Sequence, residues 1–365
     1  VDLKGKEDDS STTIAQFKCS AGYDDEKNGG FSPVLDAFFF CTASSRLYRE
    51  WYKYITLNDP IPYAKAHFGT NYVNAYWDGR SMVFGDGDGR SYYPLTGLDT
   101  AAHELGHGVT EKASNLIYRG QSGGINEAFS DMAGEVTEAF LFGKSDMVSG
   151  AEMFFAPNQA LRYFDDPTKD GVSIKHVSDY RDDMDVHYSS GVFNHVFYKI
   201  TMAIGIRASF HCFLTANRLY WRSNTDFEKG ACGVIRGAYD GGYDMDVVSR
   251  AFKSVGLTLT QCPSRASLVT AELQAGITQN NLIVSDVINP LFKINVPTEV
   301  RKVTVSSQHG LGVALSASYK REDPVINMGT GSVSADVNGG QVIYARFYRG
   351  VPTRISGATA TLTFG

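Results

Sequence analysis

Two histidines four residues apart with a glutamate between them, His103-Glu104-Leu105-Gly106-His107, carry the sharpest chemical signal in the chain. In a helix, positions i and i+4 share a face, so both imidazoles can reach one metal ion while Glu104 lies beside it. Alone, the pattern is only moderately specific, because two structural histidines on a helix would read the same. A second segment shifts the balance. If it is helical, Glu127, Asp131, Glu135 and Glu138 fall within an arc of about 80°, and no Lys or Arg stands between Gln121 and Leu141 to neutralise them. Four carboxylates on one stripe repel each other unless cations sit there or water screens them. A solvated acidic face is the plain alternative. Against it, Ala128, Phe129, Met132, Ala133 and Val136 are small or apolar, as in a helix packed inside a protein. A metal is the better reading.

Zinc fits this donor set. Two histidines and one carboxylate leave a fourth position for water, the arrangement of a catalytic site. Glu127 is the expected third ligand because it opens the second helix. Asp131, one turn later, is expected to accept from one ligand histidine and fix its tautomer, and Asn126 to do the same for the other. Zinc brings the pKa of its water towards about 7, and Glu104 would take the proton as attack begins.

Groups so placed need two packed helices and a protein around them. The chain has 365 residues, enough for two or three domains, with 43% hydrophobic residues and 20% charged ones, an ordinary globular balance. The formal net charge of −6 argues against a nucleic-acid or anionic-membrane partner, which would show as a basic surplus. No apolar run approaches the length of a membrane span. With 20 Tyr and 22 Phe, disorder over the whole length is excluded. The start at Val1 reads as a processed product or a fragment. Five cysteines, Cys19, Cys41, Cys212, Cys232 and Cys262, leave at least one unpaired within the chain. Cys232 and Cys262 flank a helical stretch and could close a loop in an oxidising compartment; five buried thiols is the alternative.

Residues 1–30 are polar and Gly-containing and read as loop-rich. From Pro33 to Tyr54 apolar residues recur at helical spacing. Aromatics, Gly and Asp over 62–94, with a GDGDGRS turn signal, read as strands and tight loops. Helical periodicity dominates from Asp99 to Cys262, interrupted around 156–186, and a Ser-, Thr- and Asn-rich stretch follows. After Pro290 the period changes to two: Phe292, Ile294 and Val296, then Val303 and Val305, then Val313, Leu315 and Ala317. Val342, Tyr344 and Phe347 with Ala360, Leu362 and Phe364 continue it. The expected organisation is an N-terminal lobe over 1–117 that carries the HExxH helix, a helical lobe over 118–262, a linker over 263–290 and a β-sandwich over 291–365. The fold class is α+β.

HELGH followed by GGINEAFSDMAGE resembles the thermolysin family of secreted zinc metalloproteases, closest to its pseudolysin/vibriolysin branch. NAYWDGRSMVFGDGDG, SNLIYRGQSGG, ALRYFDDP and DVHYSSGVFN extend the resemblance, in the family's order, across roughly Phe31 to Cys262. It implies a two-lobed zincin unit with the active site in the cleft between the lobes. The implied activity is that of a secreted, monomeric endopeptidase that cuts proteins and peptides on the N-terminal side of apolar residues, after release from its own propeptide. It also implies roles. Tyr118 and His187 would donate to the oxyanion, with Asp185 (or Asp182) orienting His187, and Arg162 would hold the substrate carbonyl beyond the scissile bond. Asn74 and Ala75 would pair with the substrate backbone, and Trp77 would line the cleft. Asp99, Glu135, Glu138 and Asp146, with a peptide carbonyl near Val148, match the branch's calcium ligands, and oxygen ligands from separate segments suit Ca²⁺.

The chain departs from the family in several places. The segment before the zinc helix is short, as if the N-terminal strands were missing. Cys19 would be orphaned or would pair with Cys41, and Cys212 has no expected partner. The pocket beyond the scissile bond would include Thr100 and Ser149 beside Leu95, Met153 and Leu161. The C-terminal module resembles β-sandwich domains that follow the catalytic region in some secreted bacterial peptidases. Two rivals remain, a catalytically dead binding protein on the same scaffold and an intracellular zinc peptidase. Intact Glu104, Tyr118 and His187 speak against the first, and free-thiol counting would test the second.

Overall fold

The computed structural model describes residues 1–7, 26–54, 63–262, 273, 275, 278–284, 291–307, 311–317, 325–348 and 355–365. Readings that involve Cys19, and most of the stretch read as linker, lie outside them. The N-terminal part opens with a short ribbon of β1 (Glu26–Lys27) and β2 (Gly30–Phe31), then α1 (Pro33–Tyr52). Pro33 at the first position and Lys53 in the left-handed conformation bound α1, where Pro lacks no needed N–H and a left-handed residue stops the helix. Three strands follow: β3 (Tyr63–Phe68), β4 (Ala75–Trp77) and β5 (Ser81–Gly85). They form one sheet in the order β3-β5-β4, so β4 is an edge.

The two signal-bearing segments are helices α2 (Leu98–Lys112) and α3 (Gly120–Phe142), packed against each other. Their close approach depends on glycine. A Cβ on Gly106, inside the HELGH run, would stand 2.8 Å from the Ser130 Cα, a distance that no side chain tolerates. No side chain of its own caps α2. Instead Glu152, 53 residues away, accepts from the Asp99 N–H at 3.0 Å, placing an anion at the positive end of the helix. After a small ribbon of β6 (Val148–Ser149) and β7 (Arg162–Tyr163) come α4 (Val186–Ser189), α5 (Gly191–Ile204), α6 (Ile206–Leu219), α7 (Phe227–Gly241) and α8 (Met245–Lys253). Phe129 of α3, Phe193 and Phe197 of α5, Phe210 and Phe213 of α6, Trp221 and Phe252 are all fully buried in one shared core. Cys232 and Cys262 form a disulfide that ties α7 to the segment after α8, worth about 3.6 kcal/mol in chain entropy for a loop of that size. Cys41 and Cys212 are free, buried thiols.

The C-terminal part is a sandwich of β8 (Thr278–Val284), β9 (Leu291–Asn295), β10 (Lys302–Ser307), β11 (Gly312–Ser316), β12 (Val325–Thr330), β13 (Ser332–Asp336), β14 (Val342–Tyr348) and β15 (Ile355–Phe364). Its sheets run β13-β10-β15-β8 and β12-β11-β14-β9. Two details differ from the sequence reading. Thr278–Val284, inside the expected linker, pairs with β15 as a strand of the sandwich. In β14 the inward residues are Ile343, Ala345 and Phe347, not Val342 and Tyr344. The reason is parity, because side chains alternate faces and 342 and 347 cannot share one.

Candidate active site

The elements above bring the two motifs together as a single constellation. The His103 and His107 Nε2 atoms lie 3.0 Å apart. Glu127 faces both, Oε2 at 3.4 Å from His103 Nε2 and Oε1 at 3.3 Å from His107 Nε2. The outer ring nitrogens are occupied: His103 Nδ1 by Asp131 Oδ1 at 2.9 Å, and His107 Nδ1 by Asn126 Oδ1 at 2.9 Å and Ser130 Oγ at 3.1 Å. Partners that accept at Nδ1 fix the tautomer and turn the Nε2 lone pair inward.

Two observations test this donor set for a cation. Glu127 Oε2 is fully buried and makes no hydrogen bond among the described residues, a costly state for a carboxylate unless positive charge sits beside it. Burial would lower the His103 pKa, yet Glu127 and Asp131 outweigh it and push it up to about 10. Positive charge is demanded at this point, and a divalent ion between two imidazoles and a carboxylate meets that demand. The site fits zinc.

Glu104 stands beside it, also buried, with Oε2 unpartnered among the described residues. Burial raises its carboxyl pKa against the pull of His103 and His107, the direction expected of a buried catalytic base. The Tyr118 hydroxyl donates to Glu127 Oε1 and lies 3.3 Å from His187 Nε2. His187 Nδ1 meets Asp185 Oδ1 at 2.7 Å, so Asp185 rather than Asp182 orients the ring; Asp182 lies near Tyr180 instead. Arg162 lies deeper than a free substrate clamp would. Its Nε and a terminal nitrogen donate to the two Asp131 oxygens, both at 2.6 Å. Asn194 completes this cluster at 2.8 Å from Asp131 Oδ2; sequence reasoning passed over it, although it ends one of the quoted blocks.

Asn74, Ala75 and Trp77 along edge strand β4, together with Leu95, Thr100, Ser149, Met153, Leu161 and Arg162, line the same cleft as the histidines, about 690 Å³ in volume. The second acidic group gathers beyond α2. Ligand oxygens of Glu135, Glu138 and Asp146 come within 4.8 Å of one another. Glu135 is buried with Oε1 unpartnered among the described residues. Asp99 is buried nearby and accepts from the Gly150 N–H at 2.9 Å. Val148 donates its N–H to Asp146 at 2.9 Å, which draws that loop in. Burial, with the neighbouring carboxylates Glu152 and Glu135 on Asp99, raises the Asp99 and Glu135 carboxyls well above their usual range. Glu152, which no local pattern marks, lines a cavity of about 430 Å³ with Asp36, Asp99, Glu138 and Asp146.

The model of the thermolysin metallopeptidase catalytic domain matches residues 1–111, and that of its alpha-helical domain matches residues 114–257. The chain is 44% identical over 261 residues to the neutral protease of Vibrio proteolyticus and 45% identical over 254 residues to the hemagglutinin/proteinase of Vibrio cholerae. These matches take in 70% and 68% of the chain but 42% and 41% of the relatives, so the chain spans less than half the length of either. Among solved structures, the precursor of protealysin, a metalloproteinase from Serratia proteamaculans, superposes with a TM-score of 0.63 at 24% identity, over 70% of this chain and 86% of that one. At that identity the likeness bears on the fold.

Proposed function

The chain belongs to the thermolysin metallopeptidase family, in its pseudolysin/vibriolysin branch, and from that premise we propose that it is a zinc-dependent endopeptidase that cuts on the N-terminal side of apolar residues. The observation that carries the reading is the Glu127 oxygen between two inward-turned imidazoles that lacks a hydrogen bond among the described residues, with the likewise unbonded Glu104 Oε2 alongside. His103, His107 and Glu127 would hold the zinc, which when bound acidifies a water and polarises the scissile carbonyl.

The chain's own residues supply the rest. Glu104 accepts the proton of the attacking water and passes it to the departing amine. Tyr118 and His187 donate to the oxygen on which negative charge develops, and Asp185 keeps the His187 ring turned towards it. Asp131 and Asn126 hold the ligand imidazoles, and the Arg162–Asp131–Asn194 cluster stiffens that support while Arg162 reaches the substrate carbonyl beyond the cut. The substrate lies as an added strand along Asn74–Trp77, the open edge of β4. Leu95, Met153 and Leu161 form the pocket beyond the cut. Thr100 and Ser149 in its wall reduce the gain from burying the largest side chains.

The test is a library of peptides blocked at both ends, with the cuts mapped by mass spectrometry. Internal cuts before Leu, Ile, Val or Phe are expected, with the largest aromatics less favoured and all cleavage lost to a zinc chelator. A charged residue after the cut, or no cleavage at all, would sink the reading. The Cys232–Cys262 bridge supports work outside the cell, and the family resemblance suggests action on proteins and peptides by a monomer released from its propeptide. Among the described residues no helix is long and apolar enough to cross a membrane.

Calcium is proposed at Glu135, Glu138 and Asp146, with Asp99 and the Val148 peptide carbonyl beside them. These oxygens come from separate segments, and one of them, Glu135 Oε1, is buried without a hydrogen-bond partner among the described residues. A calcium-selective chelator should then lower Tm by about 5 °C, the loss of a ligand held well above its Kd, and leave zinc in place. In the calcium-free protein Asp99 and Glu135 keep protons that the unfolded chain releases. The folded state therefore binds more protons, and Tm should fall as the pH rises above about 4. An unchanged Tm on chelation, or a Glu138→Gln variant no more stable than the calcium-free wild type, would leave the cluster a plain acidic face.

A further inference from the structure

Helix α2 forms the cleft floor and works as a ruler. Thr100 lines the apolar pocket, His103, Glu104 and His107 the centre, and Glu111 the opposite end. Glu111 lies one turn beyond His107, roughly 6 Å along the axis, about two residues of extended peptide. The mechanism above leaves it unused. Its carboxylate is nevertheless fixed: Oε2 accepts from the Trp77 indole Nε1–H at 2.7 Å, at the end of the strand along which substrate would lie. Among the described residues Oε1 meets only Lys112 Nζ, at 2.8 Å, through a side chain 46% exposed, and an ion pair so open to water is easily exchanged. Burial pushes the carboxyl up, but the hydrogen bonds from Lys112 and Trp77 outweigh it and hold the group below its usual range. An ionised, oriented carboxylate thus borders the part of the cleft that receives the residues before the cut, with one oxygen open to a competing cation.

We propose that Glu111 is a specificity-determining residue that selects a cationic side chain, lysine or arginine, at the second position before the scissile bond. The inference rests on the endopeptidase reading and refines its substrate class. An arriving guanidinium or ammonium displaces Lys112 from Oε1 while Trp77 keeps Oε2 in place, and a carboxylate at that position is repelled.

Three end-blocked peptides that differ only at that position, carrying Arg, Gln or Glu, test it through kcat/KM at low and high salt. The wild type should prefer Arg over Gln by about fivefold at low salt, the scale of an exposed ion pair, with Glu the poorest and the spread shrinking as salt rises. Glu111→Gln, whose amide oxygen can still accept from Trp77, should bring the Arg-to-Gln ratio to about one, and Glu111→Lys should invert the order. Lys112→Ala, which frees Oε1 without touching Glu111, should raise the ratio even if the Glu111 variants fail to fold. A wild-type ratio of one, or a ratio unchanged in Glu111→Gln, overturns the proposal and leaves Glu111 an anchor for Trp77. Failure to cleave even the Gln peptide overturns the endopeptidase reading and this inference with it; cleavage of that peptide without any charge ratio overturns the inference alone.

Discussion

Glu104→Gln is expected to lower turnover by several orders of magnitude while leaving the metal in place. The substitution preserves shape, and an amide oxygen can still accept from the Trp77 backbone N–H that bonds the carboxylate. What it removes is the ability to take a proton. Glu104 belongs to the same helical turn as both ligand histidines, yet the three donors that converge are His103, His107 and Glu127. Its burial raises the carboxyl and the neighbouring imidazoles pull it back, the kind of environment that suits a group which accepts a proton and later returns it. General-base work of this kind is worth at least about a hundredfold. Retained turnover above roughly a hundredth of wild type would therefore remove Glu104 from the role.

His187→Ala is the second large effect. His187 lines the cleft, its Nδ1 held by Asp185 at 2.7 Å and its Nε2 3.5 Å from Glu127 Oε2. A donor in that place meets the carbonyl oxygen only as negative charge builds on it. Its removal should cost on the order of 3 kcal/mol of transition-state stabilisation, seen mainly in kcat. Asp185→Asn should show a smaller fall of the same kind, because it loosens the ring without deleting the donor. A loss that appears chiefly as a raised KM would place His187 in ground-state binding.

The chemistry of this site was legible because it is written in local periodicity. A spacing of four puts His103 and His107 on one face whatever the rest of the fold does, and the acidic stripe of α3 follows from the same 3.6-residue period. The observed Nδ1 partners, Asp131, Asn126 and Ser130, all lie within four residues of Glu127, so neighbouring turns of α3 deliver them. What local pattern could not show is contact between distant segments. Glu152 caps α2 from 53 residues away, Asn194 reaches Asp131 from 63, and Arg162 is locked to Asp131 from 31, none at a spacing with a period. The hydrogen bond from Trp77 to Glu111 is of the same kind. In the sandwich the alternation was visible but its phase was not. Apolar residues of both parities occur in Val342–Tyr348, and only the pairing of β14 with β9 and β11 decides which face is inward.

The most direct measurement is the zinc content of purified Glu104→Gln beside the wild type, with turnover of an end-blocked peptide recorded on the same samples. One zinc per chain is expected in both, with turnover in the wild type alone and its loss when zinc is removed. Zinc lost from Glu104→Gln in step with activity, or full turnover by the zinc-free wild type, would contradict a site in which His103, His107 and Glu127 hold the metal and Glu104 moves the proton.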